Sequence, residues 1–351
     1  MEKITVKTSS MQGEIFVGEG VIEERLPSLT DEKKCFVVTD SNLYALYKAW
    51  FDRYFSGVEI FVLEAGEKSK SLSALQTILE KMAEAGMRRS SRMFAVGGGM
   101  VGDIAGLAAA LYMRGISLVQ IPTTLLAQID SSVGGKTAVN LGGIKNTVGA
   151  FYQPCAVLVD PMFLETLPPR EIKCGLGEMV KYAALSGEIF DELSKDIYTL
   201  GKLSYLKGFI AECIRYKAKV VEADEKEENL RRCLNIGHTT GHAIEVVSGF
   251  SHGESVLYGM YLETKLALEK GVCEREYGDK LCNLICGALA VEPRSTLFYK
   301  VLDEGLEKAR MDKKNGEDGQ VQMAVAKARG EWTMLSLPFE EYAEGINKVI
   351  R

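Results

Sequence analysis

The chain has 351 residues, 46% of them hydrophobic, with 48 acidic against 42 basic side chains and a formal net charge of −6. That length suggests two domains with a core each, and it excludes both a disordered chain and a disulfide-stapled miniature. The acidic balance lacks the basic footprint of a nucleic-acid binder, so any anionic ligand is expected to be small.

The 8 cysteines show no C-x-x-C spacing, and the N-terminus MEKITVKTSS has no apolar signal core, so reduced thiols and a cytoplasmic protein are expected. Cys282 and Cys286 stand at i,i+4 on one helix face, where buried small hydrophobes are the expected reading over soft metal ligands. No uncharged apolar run reaches the roughly 18 residues of a membrane span.

As far as residue 160, short apolar, β-rich runs alternate with helix-like stretches: 14–17, 34–39 (KCFVVT), 58–63 (VEIFVL), 93–96, 117–121 and 156–159. This alternation predicts a parallel sheet with helical crossovers. Residues 97–102 read GGGMVG, so Gly97, Gly99 and Gly102 satisfy G-x-G-x-x-G between strand 93–96 and an apolar helix 104–113. The motif comes late in its domain, and no acidic residue about 20 positions on can hold a ribose hydroxyl, so it is not the usual first-turn fingerprint. Two readings stand: glycines that let the helix close on the strand, or helix-terminal amides that hold a pyrophosphate.

DSSVGGKT at 130–137 is not a P-loop, because Asp130 occupies the position that needs glycine. The GGK turn still frees Lys136 to meet a phosphate as a point charge. Lys145 and Asn146 follow in a second glycine-flanked stretch, LGGIKNTVG, so two cations, an amide and a carboxylate fall within residues 130–146.

After Asp160-Pro161 the β-branched runs cease, and 171–186, 206–225, 238–247 and 253–270 carry apolar residues at helical spacing. A mostly helical second half is expected, with a small hairpin or edge strands at 321–325 and 331–337. The 3 histidines, His238, His242 and His252, all lie in this half. His238 and His242 share a helix face, but HTTGH lacks the glutamate of a zincin protease. Extended backwards, Arg231, Asn235, His238 and His242 form one polar stripe if the helix reaches that far; a solvent-facing stripe is the alternative. Two imidazoles plus a carboxylate with an open position make a catalytic zinc site, and Glu178, Glu245 and Glu254 are all candidates for the carboxylate.

GEKSKS (66–71), GGGMVGDIAGLAA (97–109), YMRG (112–115), IPTTLLAQIDSSVGGKTAVN (121–140), KNTVGAFYQP (145–154), FLETLPPREIKCGLGEMVKYA (163–183), DEKE (224–227), LNIGHTTGHAIE (234–245) and HGE (252–254) together resemble the 3-dehydroquinate synthase family over almost the whole chain. The resemblance implies an α/β N-terminal nucleotide-binding domain with a parallel, Rossmann-like sheet, residues 1–160. A mostly α-helical C-terminal metal- and substrate-binding domain, residues 161–351, would follow. It further implies NAD+, a divalent metal that is Zn2+ or Co2+, and a homodimer. The implied activity is that of a carbon–oxygen lyase of the shikimate pathway of aromatic amino-acid biosynthesis. 3-Deoxy-D-arabino-heptulosonate 7-phosphate would become 3-dehydroquinate plus phosphate through transient oxidation by NAD+, phosphate elimination, re-reduction and intramolecular aldol closure.

Residue by residue, the resemblance implies Glu178, His238 and His252 as metal ligands and His242 as a substrate-site histidine. Asp130, Lys136, Lys145, Asn146, Lys181, Lys217, Glu227, Arg231 and Asn235 match substrate-pocket positions. Arg114 matches an arginine that reaches in from the partner subunit, and Lys314 of the pair Lys313-Lys314 matches the last pocket lysine. Asp40, Asn42, Glu67, Lys70, Gly98, Gly99, Asp103, Thr123, Thr124, Lys136, Lys145, Thr166 and Leu167 match positions around the cofactor, with Glu67 and Lys70 in place of the missing ribose acid. Two departures stand out: Glu64-Ala65-Gly66 replaces a Pro-Asp-Gly type of turn, and Thr240 replaces a frequent aromatic. Cyclases that make 2-deoxy-scyllo-inosose, valiolone or amino-dehydroquinate share most of these motifs, and a metal- and NAD-dependent polyol dehydrogenase has a similar architecture. Lys217 and Arg231 suit a substrate carboxylate and favour the shikimate substrate.

Overall fold

The β-branched runs of the first half become strands because both of their faces are covered. The computed structural model describes residues 1–9, 12–31, 33–290, 302–307 and 319–350. The chain forms two units, Met1–Leu167 with Lys217–Lys226, and Pro168–Tyr216 with Glu227–Arg351.

In the first unit, β1 (Glu2–Lys7), β2 (Gln12–Val17), β3 (Cys35–Asp40), β4 (Glu59–Leu63), β5 (Arg92–Gly97), β6 (Ser117–Pro122) and β9 (Ala156–Val159) make one sheet in the order β1-β2-β9-β6-β5-β3-β4. Every pairing from β2 to β4 is parallel, and β1 closes one edge antiparallel to β2. Alternation along β5 shows how the faces are filled. Met93 and Ala95 pack on one side with Ile78, Met82 and Ile104, whereas Phe94 and Val96 pack on the other with Ile22, Phe51 and Phe55. The helices of these layers are α1 (Val21–Thr30), α2 (Ser41–Leu46), α3 (Lys48–Tyr54), α4 (Leu72–Glu84) and α5 (Gly99–Leu111). Fully buried side chains of the size of Met93, Phe94 and Val96 each contribute about 1.5–3 kcal/mol.

The expected parallel sheet is present, and two pieces lie outside the expectation. One is β1. The other is a hairpin of β7 (Lys136–Leu141) and β8 (Ile144–Phe151), built from stretches that read as glycine turns. The glycines do turn, at Gly134, Gly135, Gly142 and Gly143 with φ of 100, 66, 60 and 82°, but they bound strands. Gly106 of α5 lets β7 lie close, since a methyl there would come within 2.5 Å of Thr137 Cγ2.

The second unit is mostly helical: α6 (Pro169–Leu185), α7 (Gly187–Leu193), α8 (Leu203–Lys207), α9 (Ile210–Ala223), α10 (His238–Ser248), α11 (His252–Glu269), α12 (Arg275–Leu289) and α13 (Phe339–Ile350). The expected terminal hairpin is β10 (Gln320–Ala328) paired antiparallel with β11 (Glu331–Pro338). The predicted helix 206–225 is divided at Gly208, and the residues of α9 from Lys217 onward belong to the first unit. The predicted polar stripe also breaks. Arg231 and Asn235 lie in the 3-10 turn Leu230–Asn235, Ile236 leaves that turn in an extended conformation, and Gly237, at φ 77°, precedes α10, which begins at His238. Arg231 is only 1% exposed, whereas Asn235 and His242 are exposed and His238 half-buried, so the solvent-facing alternative holds for part of the four positions. Among the described residues no helix is long and apolar enough to cross a membrane.

Candidate active site

In the first unit, the residues expected near a cofactor follow the carboxyl ends of parallel strands. Asp40 ends β3, Glu67 and Lys70 follow β4, Gly98 and Gly99 follow β5, Thr123 and Thr124 follow β6, and Thr166 and Leu167 follow β9. From β3 the chain runs to β4 on one side and then crosses to β5 on the other. The strand order therefore reverses between β3 and β5, which is where open α/β sheets receive ligands. Gly98 caps α5 with no side chain, and Gly99 opens the helix. A methyl on Gly98 would lie 3.0 Å from Thr124 Cγ2, and one on Gly99 would lie 3.1 Å from Ser131 Oγ. The glycines thus serve both readings left open by the motif: they allow close packing, and they leave bare amides at a helix N-terminus able to hold a pyrophosphate.

Hydrogen bonds join several of these residues. Asp40 Oδ1 accepts from the backbone N–H of Asn42 and Leu43. Tyr47 and Thr166 hydroxyls meet at 2.8 Å. Lys70, buried at 4% exposure, donates to Asp103 Oδ2 at 2.5 Å and also to Asn146 Oδ1. Asn140 ties the same cluster together: its amide donates to Glu67 Oε1 at 2.8 Å and its Oδ1 accepts from Asn146 N at 2.9 Å. Nothing local in the sequence marks Asn140, which stands in a strand that reads as a turn.

Asp130 lies in a π-turn, Ala127–Ser131, a wide coil often found at functional sites. Lys217 donates to the Asp130 backbone oxygen at 2.8 Å and to its carboxylate. Lys136 opens β7 and Lys145 lies in β8. Three of the expected pocket residues, Arg114, Asn146 and Glu227, hold positive φ of 62, 58 and 63°. A left-handed backbone at a non-glycine residue costs of order 1 kcal/mol or more and tends to gather at functional sites. Lys314 lies outside the described residues.

In the second unit the histidines come together. Glu178 and Lys181 stand one turn apart on α6, at 0% and 2% side-chain exposure, with Lys181 Nζ 2.5 Å from Glu178 Oε2. Glu178 Oε1 lies 3.0 Å from His252 Nε2 and 3.5 Å from His238 Nε2. One ligating atom from each of Glu178, His238 and His252 falls within 4.8 Å of the others, and His242, Glu245 and His252 form a second such group. Of the three carboxylates left open by spacing, Glu178 therefore faces two imidazoles. Glu245 instead meets His252 Nδ1 at 3.0 Å, and Glu254 closes the capping box of α11 with Ser251. Asn235 donates to Glu227 Oε1 at 2.7 Å.

The donor set suits a divalent cation. His238 Nδ1 meets Ile236 O at 3.1 Å and His252 Nδ1 meets Glu245, so each outer ring nitrogen is occupied and each Nε2 turns to Glu178. This is the usual arrangement around imidazole ligands. Burial alone would raise the Glu178 carboxyl, but Lys181, His238 and His252 hold it well below the ordinary carboxylate range. Burial would lower the His252 imidazole, whereas Glu178 and Glu245 raise it to about 10. A cation taken up there would have to displace a His252 proton.

Two family models, described as 3-dehydroquinate synthase N-terminal and 3-dehydroquinate synthase C-terminal, match residues 60–174 and 175–315. A curated 3-dehydroquinate synthase of Alkaliphilus metalliredigens (strain QYMF) is 37% identical over 351 residues, covering 98% of each chain. Among solved structures, 2-deoxy-scyllo-inosose synthase complexed with carbaglucose-6-phosphate, NAD+ and Co2+ is similar at a TM-score of 0.82 and 26% identity, with 99% of both chains covered. The 2-epi-5-epi-valiolone synthase from Streptomyces hygroscopicus subsp. jinggangensis 5008, with NAD+ and Zn2+ bound, gives a TM-score of 0.83 at 25% identity, with 98% of both chains covered.

Proposed function

The chain belongs to the 3-dehydroquinate synthase family, and we propose that it converts 3-deoxy-D-arabino-heptulosonate 7-phosphate into 3-dehydroquinate and phosphate. The observation that carries this reading is the Glu178, His238 and His252 set within ligating reach, on a chain aligned end to end with a synthase. Residues within Met1–Leu167 would bind NAD+, and Glu178, His238 and His252 of the second unit the metal. A cytoplasmic homodimer would offer Arg114 of each chain to the other.

Glu178, His238 and His252 would hold Zn2+ or Co2+, and the amides at Gly98 and Gly99, with Asp40, Asn42, Glu67, Lys70, Asp103, Thr123, Thr124, Thr166 and Leu167, would hold NAD+. When bound, the cation supplies Lewis acidity to adjacent hydroxyls, and the nucleotide supplies a hydride acceptor restored within each turnover. The chain's own residues do the rest. Lys181 keeps Glu178 ionised, and Glu245 keeps the His252 proton on Nδ1. Lys136, Asn146, Arg114 and Lys314 grip the phosphate, so that a phosphate oxygen is placed to take the neighbouring proton before elimination. Charge-assisted bonds and effective molarity carry that step. Lys217 and Arg231 hold the substrate carboxylate, Lys217 itself kept in place by Asp130, while Lys145, Glu227, Asn235 and His242 fix the hydroxyls. Because the hydride is returned, the reaction is a phosphate-eliminating carbon–oxygen lyase reaction with no net oxidation.

The test follows phosphate release and NADH absorbance together, with purified protein, zinc, NAD+ and the heptulosonate phosphate. Phosphate and 3-dehydroquinate in equal amounts without NADH accumulation are expected. No phosphate release would refute the reading and turn attention to the other sugar-phosphate cyclases, and steady NADH build-up from a simple alcohol to polyol dehydrogenases.

A further inference from the structure

Two histidines of the candidate metal set occupy equivalent places: His238 is the first residue of α10 and His252 the first of α11. The two helices meet through glycines. A methyl on Gly259 of α11 would lie 2.0 Å from Gly237 O and 2.6 Å from Gly241 N, and one on Gly241 would lie 2.9 Å from Ser255 O. At this backbone-to-backbone contact stands Glu263, a carboxylate only 1% exposed, eleven residues or about three turns along α11 from His252. Its Oε2 accepts from Gly237 N at 2.9 Å, and its Oε1 from Thr240 N at 2.8 Å. Those N–H groups belong to the start of α10, where helix amides have no intrahelical acceptor, and the N-cap Gly237 has no side chain to supply one. His238 lies between the two gripped residues. Thr240 also meets Tyr342 of α13, hydroxyl to hydroxyl at 2.9 Å.

We propose that Glu263 is a positioning residue for the metal set: its two oxygens clamp the first turn of α10 to α11, and so hold His238 in place relative to His252. The inference rests on the proposed metal site. One carboxylate with two backbone bonds fixes both the height and the rotation of the α10 start, which a single bond would leave free to pivot. Charge-assisted acceptance from amides is also the strong form of such a bond. A side chain that touches no ligand atom thus decides whether the ligand is in reach, as supporting residues around metal sites do, commonly with about 10–100-fold effects on affinity.

The experiment measures zinc affinity by chelator competition, with thermal midpoints alongside, for the wild type, Glu263→Gln, Tyr342→Phe and His238→Ala. Glu263→Gln keeps the shape but faces one of the two amides with an NH2, and is expected to weaken zinc binding at least tenfold. Tyr342→Phe removes the hydroxyl bond to Thr240 while leaving both bonds of the Glu263 carboxylate in place. It should lower the midpoint while leaving zinc affinity within about threefold, well below the supporting-residue range. Wild-type zinc affinity in Glu263→Gln, whatever its midpoint, would overturn the inference. Should Glu263→Gln fail to fold, amide exchange on the wild type decides. Gly237 and Thr240 amides are expected to be protected equally with and without zinc, and protection that appears only on adding zinc would mean the metal, not Glu263, places the helix. If His238→Ala binds zinc as the wild type does, the metal reading itself fails; loss of zinc by His238→Ala with retention by Glu263→Gln removes only the clamp.

Discussion

Glu178→Gln separates the two tasks of the most buried carboxylate in the candidate site. Its charge balances Lys181 at 2.5 Å, with the pair at 0% and 2% side-chain exposure. Removing one member of a buried ion pair costs about 3–5 kcal/mol, and because glutamine keeps an acceptor oxygen the lower end, about 3 kcal/mol, is expected. The second task is ligation. At a thousandfold excess of zinc over Kd, native-state binding adds about 4 kcal/mol. At about 2–4 °C per kcal/mol for a unit of this size, that is a rise of roughly 8–16 °C in Tm for the wild type. Glu178→Gln lacks one of three ligands, so zinc should raise its midpoint by little or nothing. Calorimetry in chelator and then in graded zinc reads both terms. A variant with the wild-type zinc shift would refute the ligand assignment, and an unchanged midpoint in chelator would refute the ion-pair argument.

Asp130→Asn leaves Lys217 its bond to the backbone oxygen but removes the charge it faces. With side-chain exposures of 9% and 15%, a loss of about 2 kcal/mol in urea unfolding is expected, together with a lower kcat/KM, and an unshifted urea midpoint would count against the pair. Glu254 has a lowered pKa: burial alone would raise it, but the Ser251 backbone and hydroxyl and Lys173 outweigh that. Its contribution is therefore full above the unfolded value of about 4.5 and lost as pH falls through the lower folded value. In chelator, the wild-type advantage over Glu254→Gln should shrink as pH falls across that window. Parallel stability curves for the two proteins would show that the capping box carries no such linkage.

Much of the fold was legible because local signals agreed with the tertiary outcome. Residues 156–159 were expected as a strand and form β9 over the same four residues, fully buried. Residues 253–270 were expected as a helix and lie within one residue of α11. The hairpin of β7 and β8 was hidden because its glycines outweigh its short strand runs in any local reading, and it is held by α5 packing rather than by propensity. The polar stripe from Arg231 to His242 failed for a related reason. A spacing argument assumes one continuous helix, and Gly237 in the left-handed region resets the phase. In the site, the histidines were visible as types and spacing, and family resemblance selected Glu178. Glu263 and Asn140 were not visible, since each acts on backbone amides or neighbouring side chains brought together only by folding.

The capping of α10 and α11 has an electrostatic consequence. A helix start gathers about half a positive charge, so two histidines hung from two first residues would ordinarily ask a divalent ion to settle beside partial charges of its own sign. Here each of those starts meets a carboxylate, Glu263 on α10 and Glu254 on α11. Those carboxylates offset the positive helix starts beside which a cation would have to sit, Glu263 through two backbone N–H groups and Glu254 while also paired with Lys173.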